Sequence, residues 1–227
     1  MKYFAVLFDL DGTLLDTLQD IGGSMNAALA RMGYGTHEVT EYKRLVGEGV
    51  VALARKALPQ SARENEPIVK ACVAALRDEY ARHCLDATVP YPGIPEMLAN
   101  LQDAGVKTAV LSNKPDDMVK MLVRKYFPSI RFKAVLGARD GIPRKPDPAG
   151  AAEAARLLAV DPARCIFLGD SKTDMETAVA AGMFPVGALW GFRDAGELRH
   201  YGARRLISTP GELLEILEGR QNANVDH

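Results

Sequence analysis

The sequence lacks long apolar runs, a surplus of either charge and a cysteine framework. Its 227 residues carry a formal net charge of -1, which gives no long-range attraction to nucleic acid or to an anionic membrane. No stretch approaches the roughly 20 apolar residues of a membrane-spanning helix. The first apolar run is broken by Asp9 and Asp11 and does not resemble a signal peptide. We therefore expect neither nucleic acid nor membrane as a partner.

The three cysteines, Cys72, Cys84 and Cys165, are too few and too irregularly spaced for a disulfide framework or a metal site. Each lies within an apolar pattern, which favours a buried small side chain. A reducing, cytoplasmic location fits this cysteine usage best.

The periodicity of apolar residues changes twice along the chain. Phe4 to Phe8 is a short continuous apolar run, typical of a strand buried in a parallel sheet. From Thr17 to Ala87 the apolar spacing is helical and no strand is predicted. After Pro90–Gly93, strands and helices alternate, which predicts βα units with right-handed crossovers. The sequence thus indicates an α/β protein whose parallel sheet carries an all-helical insert after the first strand.

The predicted elements follow from these patterns. Asp147 is expected to cap a helix with Pro148 at its first position, and the polar tail Gln221 to His227 is expected to fray. After the insert, the predicted strands are Lys107–Leu111, Ala134–Gly137, Cys165–Leu168 and Phe184–Trp190, and the predicted helices are 95–104, 115–126, 148–159 and 171–181.

Three predicted strands end in polar residues, namely Asp9, Ser112 and Asp170. A carboxylate at the end of a buried strand needs a partner, because burying an unpaired charge is costly. If the strands are neighbours, these groups meet at the carboxyl edge of the sheet, where parallel sheets bind ligands.

Asp9 and Asp11 are two residues apart, so in an extended chain their carboxylates point the same way and repel unless a cation lies nearby. Gly12 lets the chain turn and Thr13 adds a hydroxyl. An EF-hand loop is excluded, because the preceding run is a strand and the sixth position is Leu14 rather than glycine. The alternative interpretation is a pair of solvated loop aspartates.

Asp170 and Asp174 form a second acidic pair at a strand end and a helix start. Helix capping would account for Asp174 but not for Asp170. Together with Asp9 and Asp11 they make an oxygen-rich cluster without nitrogen or sulfur ligands. Such hard ligands favour Mg²⁺, which often bridges protein carboxylates and phosphate.

A phosphate also needs donors and positive charge. Ser112 and the Asn113 backbone precede a helix, which favours an anion pocket, although simple capping is the alternative. Lys114 is interpreted either as a ligand contact or as a solvated lysine. Lys145 lies between helix-breaking residues and would balance the charge of the acids and a phosphate.

These segments, FDLDGT, LSNK, RKPDP and GDSKTD, occur in the order of the four motifs of the haloacid dehalogenase-like hydrolase superfamily. The chain resembles that superfamily over essentially its whole length, including a helical cap after the first motif. The resemblance implies a Rossmann-like core formed by residues 1–15 and 89–227 and a cap domain formed by residues 16–88.

The resemblance also implies the role of each motif residue in a phosphatase. Asp9 would be the nucleophile that forms an aspartyl-phosphate, and Asp11 the general acid and base. Ser112 and Asn113 would hold the phosphoryl oxygens, and Lys145 would balance charge. The expected Mg²⁺ ligands are the Asp9 carboxylate, the Asp11 carbonyl and Asp170, with Asp174 alongside; Thr13 and Lys114 are further candidates for substrate binding.

The substrate is expected to be a small phosphate ester. Gly47-Glu48-Gly49 and Arg193 resemble substrate-contacting segments of phosphoglycolate phosphatases, which makes phosphoglycolate the leading candidate. The alternatives are that the glycines only connect two helices and that Arg193 only pairs with a surface acid. A pyrophosphatase, a sugar-phosphate phosphatase, a phosphoglucomutase and a non-catalytic binding protein are the other functions considered, and both a monomer and a homodimer remain open.

The resemblance finally predicts that the cap moves. Two segments, Leu15–Thr17 and Ala87–Pro92, connect the cap to the core. We expect them to act as hinges that close the cap over the substrate and exclude water.

Overall fold

The computed structural model describes residues 2–219. They form a six-stranded parallel sheet with the strand order β5-β4-β1-β6-β7-β8, flanked by helices on both faces. This confirms the predicted α/β class with a helical insert after the first strand. The sheet strands are β1 (Ala5–Phe8), β4 (Lys107–Pro115), β5 (Ala134–Ala138), β6 (Cys165–Gly169), β7 (Phe184–Ala188) and β8 (Arg205–Ile207).

Strand β1 is central because it pairs with β4 on one side and with β6 on the other. Phe8, its last residue, is in register with Val110 of β4 and Leu168 of β6. All four residues of β1 are buried, as an apolar run between two neighbours requires. The chains that leave these three strands therefore emerge side by side at one edge of the sheet.

Helices cover both faces of the sheet. Helices α5, α6 and α10 pack on one face around Ile94, Leu122 and Leu213. Helices α7 and α8 pack on the other face, where small residues such as Ala151 and Ala178 allow close approach. The helices of the core are α5 (Ile94–Asp103), α6 (Asp116–Tyr126), α7 (Ala149–Leu158), α8 (Lys172–Ala180), α9 (Ala195–His200) and α10 (Glu212–Glu218), with a 3-10 helix at Pro162–Arg164.

The cap has its own hydrophobic cluster, separate from the two at the sheet. It joins residues from all the cap helices, including Met25, Tyr42, Leu53 and Leu76. Tyr42 is fully buried and donates a hydrogen bond to Asn26 (2.6 Å). The helices of the cap are α1 (Leu18–Arg31), α2 (Tyr42–Leu45), α3 (Val50–Ala57) and α4 (Glu66–His83), with a 3-10 helix at Val39–Glu41.

The two connections between cap and core pair with each other. Strands β2 (Leu15–Asp16) and β3 (Val89–Pro90) form a short antiparallel ribbon. Next to it, the buried carboxylate of Asp20 accepts hydrogen bonds from Ala87 N (2.9 Å), Thr88 N (2.9 Å) and Thr88 Oγ1 (2.7 Å). A side chain at the start of the cap thus fixes the segment where the chain returns to the core. We propose the domain boundary at this ribbon, with residues 16–88 as the cap.

Several local predictions need correction. The helix after Asp147 is assigned from Ala149, one residue later than predicted, but Asp147 accepts from Ala149 N (2.8 Å) as a capping side chain does, and Pro148 already has helical backbone angles. Strand β7 stops at Ala188 rather than Trp190. Helices α2, α3, α9 and α10 and strand β8 are short and were not predicted. The predicted fraying of 221–227 concerns residues outside those described.

The structure confirms the cysteine interpretation, since Cys72, Cys84 and Cys165 are free and buried. Among residues 2–219, no helix is both long enough and apolar enough to cross a bilayer.

Stability measurements can test whether the hydrogen bonds that Asp20 accepts from Ala87 and Thr88 hold the connection between cap and core. Asp20→Ala removes a charged acceptor of three hydrogen bonds and leaves two backbone N–H groups without a partner. We expect it to lower the free energy of unfolding in urea by about 3 kcal/mol. Thr88→Val removes one of the three bonds and should cost about 1 kcal/mol. An Asp20→Ala variant as stable as the native protein would show that the carboxylate does not hold the connection.

Candidate active site

Three buried acids meet at the carboxyl edge of the sheet. Asp9 follows β1, Asp170 follows β6 and Asp174 lies in the first turn of α8. They are 6%, 1% and 0% exposed, and one carboxylate oxygen of each lies within 4.8 Å of the others. The predicted convergence of the two strand ends is therefore present, and Asp174 joins it because α8 starts directly behind β6.

Lys145 lies between two of these acids. Its Nζ is 2.9 Å from Asp9 Oδ1 and 2.7 Å from Asp174 Oδ1. Burial disfavours the charged form of this lysine, but the carboxylates of Asp174 and Asp9 outweigh burial and raise its pKa above the ordinary value. Lys145 therefore stays positively charged at neutral pH.

Hydrogen bonds fix the carboxylates of Asp170 and Asp174. Asp170 accepts from Thr13 Oγ1 (2.9 Å) and from Phe192 N (2.8 Å). Asp174 Oδ2 accepts from Ser171 N (3.0 Å) and from Ser171 Oγ (2.5 Å). The hydroxyl of Thr13, which we considered for substrate binding, is thus directed at Asp170.

Glycines leave room for the acids. Gly12 has φ +85°, a conformation that residues with a side chain rarely adopt, and a Cβ there would overlap the Asp170 carboxylate. A Cβ at Gly191 would also overlap Asp170, and one at Gly169 would overlap Asp174. The backbone can therefore pack directly against the acidic cluster.

The three carboxylates, when all are ionised, carry more negative charge than the one ammonium of Lys145 balances. Burial and the neighbouring carboxylate of Asp174 raise the pKa of Asp9, although Lys145 opposes this shift. Burial and the charges of Asp174 and Asp9 likewise raise the pKa of Asp170. One ammonium does not neutralise three buried carboxylates. An all-oxygen donor set with residual negative charge suits a hard divalent cation such as Mg²⁺.

Asp11 has a different environment from Asp9. Its two carboxylate oxygens are 2.8 and 3.0 Å from Lys114 Nζ. Lys114 is buried, so the alternative of a solvated surface lysine is excluded. Burial works against the charged lysine, but the charge of Asp11 outweighs it and raises the pKa of Lys114. The Asp11 side chain is therefore held apart from the three clustered acids.

Ser112 and Asn113 lie inside β4 at the same edge. Ser112 Oγ accepts a weak hydrogen bond from Lys114 N (3.4 Å). The Asn113 side-chain amide donates to Lys145 O (3.0 Å) and to Gly47 O (3.0 Å), and its oxygen accepts from Lys145 N (2.9 Å). The Asn113 side chain thus binds two protein segments, which leaves its backbone as the candidate contact for phosphate.

The cap loop around Gly47 is tied to the core by three contacts. One is the bond from Asn113 to Gly47 O. The second runs from Arg193 Nη2 to Val46 O (2.8 Å). The third joins Lys172 to Glu48 (3.2 Å), whose carboxylate also pairs with Lys56 (2.9 Å). Glu48 and Arg193, both predicted to bind substrate, here hold the cap against the core.

A cavity of about 390 Å³ lies between cap and core. The predicted residues on its wall are Asp9, Asp11, Gly47, Gly49, Ser112, Asn113 and Lys114. Six other predicted site residues are not on this wall, namely Thr13, Glu48, Lys145, Asp170, Asp174 and Arg193.

Sequence reasoning missed the rest of the cavity wall. Residues of the cap, of the end of β4 and of α6 contribute, namely Ile21, Val46, Val50, Leu53, Leu76, Arg77, Tyr80, Ala81, Pro115, Asp117 and Met118. Ile21, Leu76 and Tyr80 belong to the helical apolar periodicity of the cap. That pattern shows that a residue is turned inward but does not distinguish the cap cluster from the cavity.

Comparisons with known proteins agree with this geometry. The family described as haloacid dehalogenase-like hydrolase matches residues 6–188. The N-acetylmuramic acid 6-phosphate phosphatase of Pseudomonas aeruginosa is 32% identical over 220 residues, with 96% of each chain covered. A phosphoglycolate phosphatase of Aquifex aeolicus is 30% identical over 213 residues, with 94% of this chain and 96% of the relative covered. A crystal structure from Lactobacillus delbrueckii subsp. bulgaricus, named as a candidate phosphoglycolate phosphatase, superposes with a TM-score of 0.90 at 35% identity, covering 96% of this chain and 99% of that one.

The charge of the cluster leads to a prediction about stability and pH. Since Asp9 and Asp170 have raised pKa values in the folded protein, the metal-free folded state binds more protons than the unfolded state. The free energy of unfolding should therefore fall as the pH rises from about 6 to about 8. With Mg²⁺ present, the midpoint of thermal unfolding should rise and its dependence on pH should weaken, because the cation favours ionised carboxylates.

Asp170→Asn is the matched control. The amide can still bond to Phe192 N and Thr13, but it does not titrate. This variant should lose part of the pH dependence and most of the Mg²⁺ effect. An unchanged melting temperature on adding Mg²⁺ to the native protein at about pH 8 would contradict a metal site here.

Proposed function

Because this chain belongs to the haloacid dehalogenase-like hydrolase family, we propose that it is a Mg²⁺-dependent phosphatase that hydrolyses a small organic phosphate monoester through a phosphorylated Asp9. The observation that carries the proposal is the placement of Asp9 at the end of the central strand, beside Lys145 and within 4.8 Å of two further acids. The similarity to named phosphatases over more than nine tenths of the chain supports the reaction class.

Asp9 is proposed as the nucleophile. Its Oδ1 accepts from Leu10 N (2.7 Å) and lies against Lys145, whereas no hydrogen bond holds Oδ2 among the described residues. We assign the attack on phosphorus to Oδ2. The new bond joins this oxygen to phosphorus, the bond from phosphorus to the ester oxygen breaks, and the product is an acyl phosphate on Asp9.

Asp11 is proposed to move protons in both half-reactions. Its carboxylate lies on the cavity wall and is oriented by Lys114. In the first step Asp11 would have to be in its protonated form, rather than the carboxylate paired with Lys114 here, and would give that proton to the departing ester oxygen. In the second step it takes a proton from a water whose oxygen attacks phosphorus, so the acyl phosphate breaks, Asp9 is restored and inorganic phosphate leaves.

The remaining motif residues would hold the phosphoryl group and the metal. Asp9, Asp170 and the Asp11 carbonyl would ligate Mg²⁺, with Asp174 alongside. Bound Mg²⁺ neutralises and orients the phosphate oxygens. Ser112, the Asn113 backbone and Lys145 would bind the phosphoryl oxygens and balance their charge.

Hydrolysis is favoured over the other functions considered. A non-catalytic binding protein would not need all four motif acids, and all are present. A phosphoglucomutase would need cap residues that retain and re-present the phosphorylated intermediate, and we identify none among the described residues. Pyrophosphate and sugar phosphates stay alternatives to phosphoglycolate as the substrate. N-acetylmuramic acid 6-phosphate is a further alternative, because the Pseudomonas relative is named for it.

Three free buried cysteines suit the reducing cytoplasm, which is the proposed location.

We also propose that the cap closes over the bound substrate. The β2–β3 ribbon and the segment held by Asp20 would act as the hinge, and the contacts of Gly47, Val46 and Glu48 with the core would stabilise the closed form. Closure would exclude bulk water from the acyl phosphate.

The nucleophile is tested by phosphate release. Asp9→Asn keeps the size of the side chain but removes the attacking carboxylate. We expect Mg²⁺-dependent release of inorganic phosphate from a metabolite-phosphate panel to fall by about three orders of magnitude or more. If turnover of any ester persists at the native rate in this variant, Asp9 is not the nucleophile.

Substitution of Arg193 tests whether its hydrogen bond to Val46 O stabilises the closed form of the cap. Arg193→Gln removes the bond to Val46 O, so the closed form should be less populated. We expect KM to rise by about tenfold and backbone amides of residues 44–48 to exchange hydrogen faster. Arg199→Gln makes the same charge change at an exposed position of α9 and should alter neither quantity. Native KM and exchange in Arg193→Gln would refute this role.

A further inference from the structure

The cavity narrows the class of substrate. We infer that the group esterified to phosphate is larger than glycolate and amphipathic, with an apolar body against the cap and an anionic substituent at Arg77. This inference rests on the proposed function, because it takes the position of the phosphate at Asp9 as given.

The size of the cavity argues against a two-carbon leaving group. Its volume of about 390 Å³ lies within the range of roughly 300–1,000 Å³ that holds drug-sized ligands. The phosphate itself takes the part of this space next to Asp9 and Ser112, and the two carbon atoms of glycolate would leave much of the remainder to water. A leaving group the size of a substituted sugar would fill the cavity and displace that water.

The chemistry of the wall argues for an apolar body. The side chains of Val50 and Leu53 on α3, Leu76 on α4 and Met118 on α6 all border the space. Water held against such side chains is unfavourable, and apolar ligand surface that replaces it contributes to binding. Glycolate is polar at nearly every atom and gains little from this wall.

One polar group inside the wall keeps an unused proton. The Tyr80 hydroxyl oxygen is buried next to Lys114, and no acceptor for the hydroxyl proton lies among the described residues. The nearby ammonium of Lys114, 4.5 Å from the centre of the Tyr80 ring, has only protons to donate, so the hydroxyl proton finds no acceptor there. Burial raises the pKa of Tyr80 to about 12, so the hydroxyl is protonated at neutral pH and is able to donate. Buried polar groups are nearly always satisfied, which points to a polar atom of the ligand as the missing partner.

Arg77 supplies an unpaired positive charge. It is exposed and borders the cavity, and its guanidinium group forms no ion pair or hydrogen bond within residues 2–219. By contrast, Arg82 on the same helix pairs with Glu79 (2.7 Å). The other cation on the described wall, Lys114, is already paired with Asp11. An anionic substituent is therefore expected to bind on the side of α4.

Kinetics with three phosphate esters test the inference. N-acetylmuramic acid 6-phosphate is bulky and has a lactyl carboxylate, N-acetylglucosamine 6-phosphate lacks that carboxylate, and phosphoglycolate is small. With Mg²⁺ and the native protein, we expect kcat/KM to decrease in that order. The highest kcat/KM for phosphoglycolate would overturn the inference and leave the proposed function standing. Failure to release phosphate from all three and from a broad metabolite panel would instead reject the proposed function.

Variants test the individual contacts. Arg77→Gln should lower kcat/KM for the carboxylated ester by about tenfold, through KM, and leave the sugar phosphate without the carboxylate unaffected. Arg82→Gln is the matched control on the same helix, and it should not change the ratio between the two esters. Tyr80→Phe should lower kcat/KM for the two sugar phosphates but not for phosphoglycolate. Equal effects of Arg77→Gln on both sugar phosphates would overturn the anionic contact, and equal effects of Tyr80→Phe on all three esters would overturn the polar contact.

Discussion

The ion pairs of Lys145 with Asp9 and Asp174 are the interaction on which the site depends. They allow carboxylates to be buried at the end of the central strand, where an isolated charge would be too costly. They do not neutralise the cluster, because Asp170 is buried beside them with only neutral donors. The cost of ionising all three acids beside a single ammonium is the physical reason to expect a divalent cation and, with it, a phosphate. The balance of charge at the carboxyl edge of the sheet therefore affects both the stability of the folded protein and the ability of the site to bind a cation.

In the proposed function, the cap is the part that determines which phosphate ester is accepted. The core supplies the acids, the lysine and the phosphate donors, whereas the cap supplies Leu53, Leu76, Arg77 and Tyr80 on the cavity wall. Since the cap packs around its own hydrophobic cluster and returns through one short ribbon, its wall can change without disturbing the acids. Relatives 32% and 30% identical to this chain are named for N-acetylmuramic acid 6-phosphate and for phosphoglycolate, and a cap wall that changes independently of the acids would account for that difference.

The core was more predictable from the sequence than the cap. Apolar runs that stop at Asp9 and Asp170 predicted both strands and their convergence, because an acid at the end of a buried strand needs a partner close by. Short elements such as α3 and β8 were missed, since eight and three residues carry too little periodicity. Side-chain partners could not be predicted either: Lys114 is 103 residues from Asp11, and nothing local distinguishes a buried lysine from a solvated one.

The central claim is that Asp9 accepts the phosphoryl group, and it is tested most directly by trapping that intermediate. Native protein would be mixed with Mg²⁺ and an ester it hydrolyses, quenched in acid within the first turnover, digested and measured by mass spectrometry. We predict a phosphoryl group on the peptide that carries Asp9, at the side chain of that residue. A phosphoryl group on another residue, or none during active turnover, would contradict the account.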